Sequence, residues 1–362
     1  MTKTRLSRDI PGAIAVFLVA LPLCVGLARA CNVPATSGLL AGVVGGILVG
    51  GLSGSPFSVT GPAAGLVPVV LLGMSRLGSF NAMLCATCIA GLIQLLLGFA
   101  RAGSVARLFP VAVIRGMMAA IGVIMIYKQI PHLLGYDLET FGVDTFSPHI
   151  FLRGLPPLET VPCTLGVLSL LLMAFWEIKV HPKFPALPGS IIVAGFGILV
   201  QVALTLLAPE WALSDVHRVQ ISADWLTSHP SPDWSALANP QVYWIAVTLA
   251  LVASLETLVA LEVIDRLDPK HRVAPPNREL FAQGAGNLVC GILGGMPVTS
   301  VLARGSVNVA AGSSSKAATM IQGALLGVAL LFLGPQLSQL PLASLAAVLI
   351  VSGLVMMKLA SP

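Results

Sequence analysis

Two stretches, Ser53-Gly-Ser-Pro-Phe-Ser-Val-Thr-Gly-Pro-Ala-Ala-Gly65 and Gly294-Gly-Met-Pro-Val-Thr-Ser-Val-Leu-Ala-Arg-Gly-Ser306, decide how this chain folds. Each interrupts an apolar region with a proline and a short β-prone run, Phe57 to Thr60 in one and Val298 to Ser300 in the other. Small residues follow that can open a short helix. Both stretches therefore break a helix of membrane length. At membrane depth, irregular backbone is tolerated only where it is buried in protein or lines a cavity.

Working outward, the 362 residues are 56% hydrophobic and only 10% charged, with a mean hydropathy of +0.92. An average soluble domain is about 25% charged, so a soluble globule is excluded and the chain reads as an all-α polytopic membrane protein. At about 20 residues per span, the apolar runs give about a dozen spans: 10–30, 34–53, 56–74 (broken), 81–100, 109–129, 162–178, 188–208, 240–262, 280–294, 297–312 (broken), 316–334 and 341–358. The polar inserts 130–160 and 209–239 show no sustained amphipathic period and read as connections. Trp211, Trp225 and Trp234 suit a membrane interface.

The first run, Ile10 to Ala30, follows Lys3, Arg5 and Arg8 and ends in Ala28-Arg-Ala30, features shared with a cleaved signal peptide. It is longer than a typical signal core, and the runs behind it need a first span to orient them, so it reads as a span. With the N-terminus in the cytoplasm, Lys3, Arg5, Arg8, Arg101, Arg107, Lys179, Lys183, Arg266, Lys270, Arg272, Arg278, Lys316 and Lys358 fall inside. Only Arg29, Arg76, Lys128, Arg153 and Arg218 fall outside, and this excess fixes the orientation. The location predicted is the inner (cytoplasmic) membrane, multi-pass, in contact with lipid.

The net charge of +5 is spent on topology; no basic helix or arginine-rich tract points to nucleic acid. The six cysteines lie mostly in apolar runs, and Cys85 with Cys88 lacks the second ligand pair that structural zinc needs. No membrane-depth histidine, Ser–His pair or metal cluster suggests an enzyme, and no metal or cofactor is expected.

The chain echoes itself weakly. Leu18-Val-Ala-Leu21 reappears as Leu251-Val-Ala-Ser254, the Thr60 region as the Thr299 region, and Ile93-Gln94 as Ile321-Gln322, in the same order. Seven spans precede the second copy, so the copies are inverted, as in many secondary transporters. The two half-helices then enter from opposite faces and aim their N-termini at one spot near the midplane. Free N–H groups and the positive dipole ends make that spot an anion site. Thr60, Thr299 and Ser300 offer hydroxyl donors, Gly61, Ala63 and Ala64 leave room, and Val301 and Arg304 complete the expected substrate-binding set. Two ionisable residues lie within spans, Glu256 and Arg304, where buried charges usually pair and mark an ion pathway. A Glu256–Arg304 pair is expected. Arg115, about a turn from a span end, can snorkel.

At these residues the chain resembles the SulP family of inorganic anion transporters, the sulfate-permease group that includes bacterial bicarbonate transporters and the animal solute carrier 26 proteins. The resemblance covers nearly the whole chain. It is carried by Ala20-Leu-Pro-Leu23, Ser58-Val-Thr-Gly-Pro62, and Pro297-Val-Thr-Ser300 with Arg304. It is most similar to a subgroup associated with carbonic anhydrases, which implies a functional link to such an enzyme and tilts the substrate toward bicarbonate. The family fold implies fourteen spans in two inverted sets of seven, with core and gate domains. Mapped onto this chain, 1–208 is the first repeat (core spans 10–100, gate spans 109–208), 209–239 an extracytoplasmic loop, and 240–362 a second repeat (core spans 240–334, one gate span 341–358). On that reading the last two gate helices and the STAS domain are absent and the chain is a fragment. The resemblance makes Thr60 and Thr299 substrate- or cation-site residues, and leaves open a homodimer. Glu256 stands where sodium-coupled members have a Na⁺-binding aspartate, so Na⁺ at Glu256 and Thr299, or H⁺ coupling, stays open beside the Arg304 pair.

The function expected is secondary active transport of a small inorganic anion, bicarbonate or sulfate, by alternating access. An anion channel, a non-transporting membrane protein and a nucleobase permease of the same fold are the alternatives. The last lacks its paired carboxylates here, because the tenth span carries Arg304 instead.

Overall fold

The computed structural model describes residues 3–103, 111–136, 159–180, 188–219 and 229–360. Arg107, Arg153, Lys183 and Trp225 lie outside them, as does most of the 130–160 insert. The described residues are mainly helical: α1 (Lys3–Ala30), α2 (Ala35–Leu52), α3 (Val67–Leu77), α4 (Phe80–Phe99), α5 (Val111–Leu134), α6 (Thr160–Val180), α7 (Gly189–Leu207), α8 (Pro240–Leu267), α9 (Pro276–Leu293), α10 (Leu302–Ala310), α11 (Ala317–Phe332), α12 (Gly334–Leu337) and α13 (Leu342–Ala360). Six are long and apolar enough to cross a membrane: Asp9–Ala30 within α1, then α2, α4, α6, α7 and α8. Ala64–Leu77, α11 and Leu342–Val355 are shorter apolar helices.

The chain divides into two compact units, Met1–Arg115 with Asp224–Phe332, and Gly116–Ala223 with Leu333–Pro362. In the second unit Ser169 and Ser344 share a hydrogen bond of 3.0 Å between α6 and α13. The Val219 N–H donates to the Leu340 carbonyl at 3.0 Å, and Gln201 accepts from the Leu213 N–H at 3.1 Å. Leu171, Leu199, Leu206 and Leu207 stand 61–85% exposed, which in a membrane protein is surface for lipid chains.

The first unit contains both breaks. Its tightest helix pair is α4 with α9, where glycines let the backbones touch. A Cβ on Gly91 would lie 2.7 Å from the Gly284 carbonyl oxygen, so any larger residue forces the pair apart. Asp9 of α1 is fully buried and accepts from the Ser314 N–H (2.6 Å), the Ser315 N–H (3.1 Å) and the Ser315 hydroxyl (2.5 Å), tying α1 to the α10–α11 turn.

The breaks meet each other. β1 (Thr60–Gly61) pairs antiparallel with β2 (Thr299–Ser300), Thr60 opposite Ser300 and Gly61 opposite Thr299. The first strand is therefore displaced from the predicted Phe57–Thr60. Ser53 and Ser55 account for this, because their hydroxyls accept from the N–H groups of Ser55, Phe57 and Ser58 and hold that segment in turns. The backbone of the first break is well satisfied, as burial in a membrane protein demands. The Phe57 carbonyl accepts from Asn308 (3.2 Å), that of Ser58 from Thr319 (3.2 Å), that of Val59 from the Val301 N–H (2.8 Å), and that of Pro62 from Arg304 (3.4 Å).

Below the first break, the α8–α9 loop folds around Asp268. Its carboxylate accepts from the Arg272 Nε at 2.6 Å and from the Lys270 and Arg272 N–H groups, while the Arg272 guanidinium lies 5.1 Å over the Phe57 ring. Burial alone would raise the Asp268 carboxyl, but the Arg272 hydrogen bonds and charge outweigh it and hold the group below the usual carboxylate range. A depressed folded-state value contributes stability above the unfolded pKa of about 3.9 and loses it as pH falls through the folded value. The acid limb of thermal stability is therefore expected to flatten in Asp268→Asn, measured by melting the detergent-solubilised protein from neutral pH down through that range. An unchanged acid limb would show that Asp268 does not contribute to it.

Candidate functional site

The site is built where the two breaks hand over to helices. After β1 the chain passes Ala63, buried, and enters a 3-10 turn at Ala64 that runs into α3. After β2 it passes Val301, extended at φ −106° and ψ 109°, and enters α10. Neither start carries a side-chain cap. The first N–H groups of a helix have no intrahelical partner, so each start offers donors and a positive dipole end.

The two starts are not equivalent. At the first, the Gly65 N–H donates to the Glu256 carboxylate from α8. A Cβ on Gly65 would fall on that carboxylate, so a larger residue there has to displace the end of the Glu256 side chain. Glu256 thus already occupies the positive end of the first half-helix, with its Oε2 unpartnered within the protein. The start of α10 is open: Val301 donates to Val59, Gly305 is the first residue bonded back to Val301, and Ala303 between them is exposed.

Arg304 stands in that same first turn and is fully buried. Its Nη2 meets only the Pro62 carbonyl (3.4 Å) and the Cys24 thiol (3.5 Å), and its Nε and Nη1 have no partner within the protein. Nη1 occupies the space beside Gly61 that a side chain would fill. The expected Glu256–Arg304 ion pair is not made; among the described residues no carboxylate lies within ion-pair distance of Arg304. The reason is local. The Gly65 N–H captures the carboxylate, and Pro62, three residues earlier, captures the guanidinium.

The predicted hydroxyls are engaged with protein. The Thr299 hydroxyl donates to the Ala253 carbonyl (3.0 Å) and so accepts from Thr257 (2.6 Å), which commits its one proton. Ser58 donates to Glu279 at 3.2 Å and thus accepts from Ser300 at 2.8 Å, which commits the Ser300 proton. Thr60 accepts from Gln283 Nε2 at 2.7 Å.

Sequence reasoning missed a polar ladder on α9. Glu279, Gln283 and Asn287 are one helical turn apart and fully buried. Glu279 accepts from Ser53 (2.6 Å) and Ser58, Gln283 reaches Thr60, and Asn287 reaches the backbone of Val298. The i, i+4, i+8 spacing was available in the sequence as a signal.

A mainly helical membrane protein with two paired helix breaks, an open helix N-terminus and a buried unpaired arginine is the class defined by this fold and site. The chain belongs to the sulfate permease family, whose model matches residues 6–361. It is similar to YvdB of Bacillus subtilis (strain 168), 27% identical over 352 residues that cover 96% of this chain and 64% of YvdB. It is also similar to the bicarbonate transporter BicA of a Picosynechococcus species, 23% identical over 94% of this chain and 60% of BicA. The chain thus spans less than two thirds of the length of these relatives. The solved transmembrane domain of a cyanobacterial BicA has the same fold, with a TM-score of 0.84, 22% identity, and coverage of 99% of this chain and 90% of that one.

Proposed function

We propose that the protein is a secondary active transporter of a small inorganic anion, bicarbonate or sulfate, across the cytoplasmic membrane by alternating access. The observation that carries this is Arg304: a fully buried guanidinium with two unpartnered nitrogens beside an uncapped helix start. A lone buried cation is costly, and an anion lying on the N–H groups of Leu302 to Arg304 supplies the missing counter-charge. Family membership and the bicarbonate and sulfate names among its relatives support the same substrate class. Glu256, on the other helix start, is the coupling residue on this reading. Its charge opposes an incoming anion, and protonation removes the opposition.

The test is reconstitution of the protein in liposomes with labelled bicarbonate, sulfate or chloride, with and without Na⁺ and pH gradients. Saturable uptake stimulated by unlabelled anion on the far side is expected. Non-saturating flux without such exchange would instead establish a channel.

A further inference from the structure

The fully buried amide of Asn287 holds both backbone groups of one residue in the second break. Its Oδ1 accepts from the Val298 N–H at 2.7 Å, and its Nδ2 donates to the Val298 carbonyl at 3.0 Å and to Gln94 Oε1 at 2.7 Å. One turn earlier, Gln283 holds Thr60 in β1, and one turn before that Glu279 holds Ser53 and Ser58. No corresponding polar face exists on α2, the helix that precedes the first break, where Leu40, Val44 and Leu48 recur at the same spacing. A single helix therefore grips both breaks.

We propose that the α9 ladder sets the register of the β1–β2 pair, and that Asn287 is the positioning residue that aims the open start of α10 at the anion. The inference rests on the anion-site reading above, but the clamp is a separate claim about the protein itself. Val298 is three residues from Val301, where α10 is entered, and β2 lies between them. Two hydrogen bonds to one peptide pair fix its rotation as well as its position. Without them, β2 is held by its two-residue pairing and by the Thr299 and Ser300 contacts to α8 and Ser58. Small displacements at such a site lower affinity before they lower the folded fraction.

Gln94 provides the control, because its hydrogen bonds go to Asn287 and to Ser254 (3.1 Å), neither of which lies in a break. Gln94→Met cuts the α4 link and leaves the grip on Val298. Asn287→Leu removes both grips, whereas Asn287→Asp keeps the acceptor for the Val298 N–H and loses the donor. In reconstituted uptake, Asn287→Leu is expected to raise KM at least tenfold with Vmax within about threefold, Asn287→Asp to fall between, and Gln94→Met to leave KM within twofold. Hydrogen exchange of the peptide covering residues 296–303 is expected to speed up in Asn287→Leu and not in Gln94→Met. Equal KM in Asn287→Leu and Gln94→Met, or unchanged exchange over 296–303 in Asn287→Leu, would overturn the clamp. If Asn287→Leu does not fold, Asn287→Asp carries both readouts. If the unmodified protein shows no saturable uptake, the anion-site reading fails while the exchange experiment still decides the clamp.

Discussion

Arg304→Gln is expected to abolish saturable anion uptake while leaving the anion-free protein at least as heat-stable as before. The two halves of this expectation have one cause. In the folded protein the guanidinium is fully buried, its contacts are a carbonyl at 3.4 Å and a thiol at 3.5 Å, and two nitrogens have no partner. Removing a buried charge that no other charge depends on strands nothing and relieves desolvation. For the anion the loss is large. Hydrogen bonds to charged groups are worth about 1.5–3 kcal/mol each, and an arginine fork supplies two, so affinity should fall by about a hundredfold or more. Ligand stabilises the folded state by about 2.7 kcal/mol at a hundred times its Kd, so adding anion should raise the melting temperature of the unmodified protein and not of Arg304→Gln. Arg304→Lys keeps the charge without the fork and should fall between the two. Uptake of unchanged affinity in Arg304→Gln would remove the anion from this position.

The apolar runs and the two breaks were legible because hydropathy and proline act locally. Spans 81–100 and 188–208 became Phe80–Phe99 and Gly189–Leu207, since nothing distant competes with a continuous apolar run for helical structure. The strand at Thr60–Gly61 was misplaced because Ser53 and Ser55 compete locally for the preceding N–H groups. The missed ladder has a different cause. Glu279, Gln283 and Asn287 share their helix with glycines and apolar residues, and an averaged hydropathy hides three polar groups that all face one side. The partner of Glu256 was not legible at all. Pairing two lone charges is sound electrostatics, but the choice between a guanidinium and a helix N–H depends on which is nearer, and that is fixed by Gly65 in a segment far away in sequence.

Glu256→Gln is expected to tighten anion binding and to remove the dependence of uptake on the pH gradient. Glutamine keeps an oxygen to accept from the Gly65 N–H, so the backbone contact survives while the charge is lost. When Glu256 is ionised its charge sits on the start of one half-helix, on the proposed reading the anion takes the start of the other, and the two starts are joined through the β1–β2 pair. Like charges repel by about 4 kcal/mol at 4 Å and by less farther apart at an effective dielectric near 20, so neutralising an ionised Glu256 should strengthen anion affinity by about tenfold. Linkage gives the sign: the anion favours the protonated carboxyl, and the protonated carboxyl favours the anion. Uptake should rise as the external side is made acidic, and Glu256→Gln should bind tightly at every pH yet no longer accumulate anion against its gradient. This separates Glu256 from Arg304, whose loss weakens binding at every pH. Labelled uptake and counterflow measured across a pH series in both variants would show the difference. Saturable stimulation by Na⁺ that disappears in Glu256→Gln would replace the proton with Na⁺ as the coupled ion and overturn the assignment.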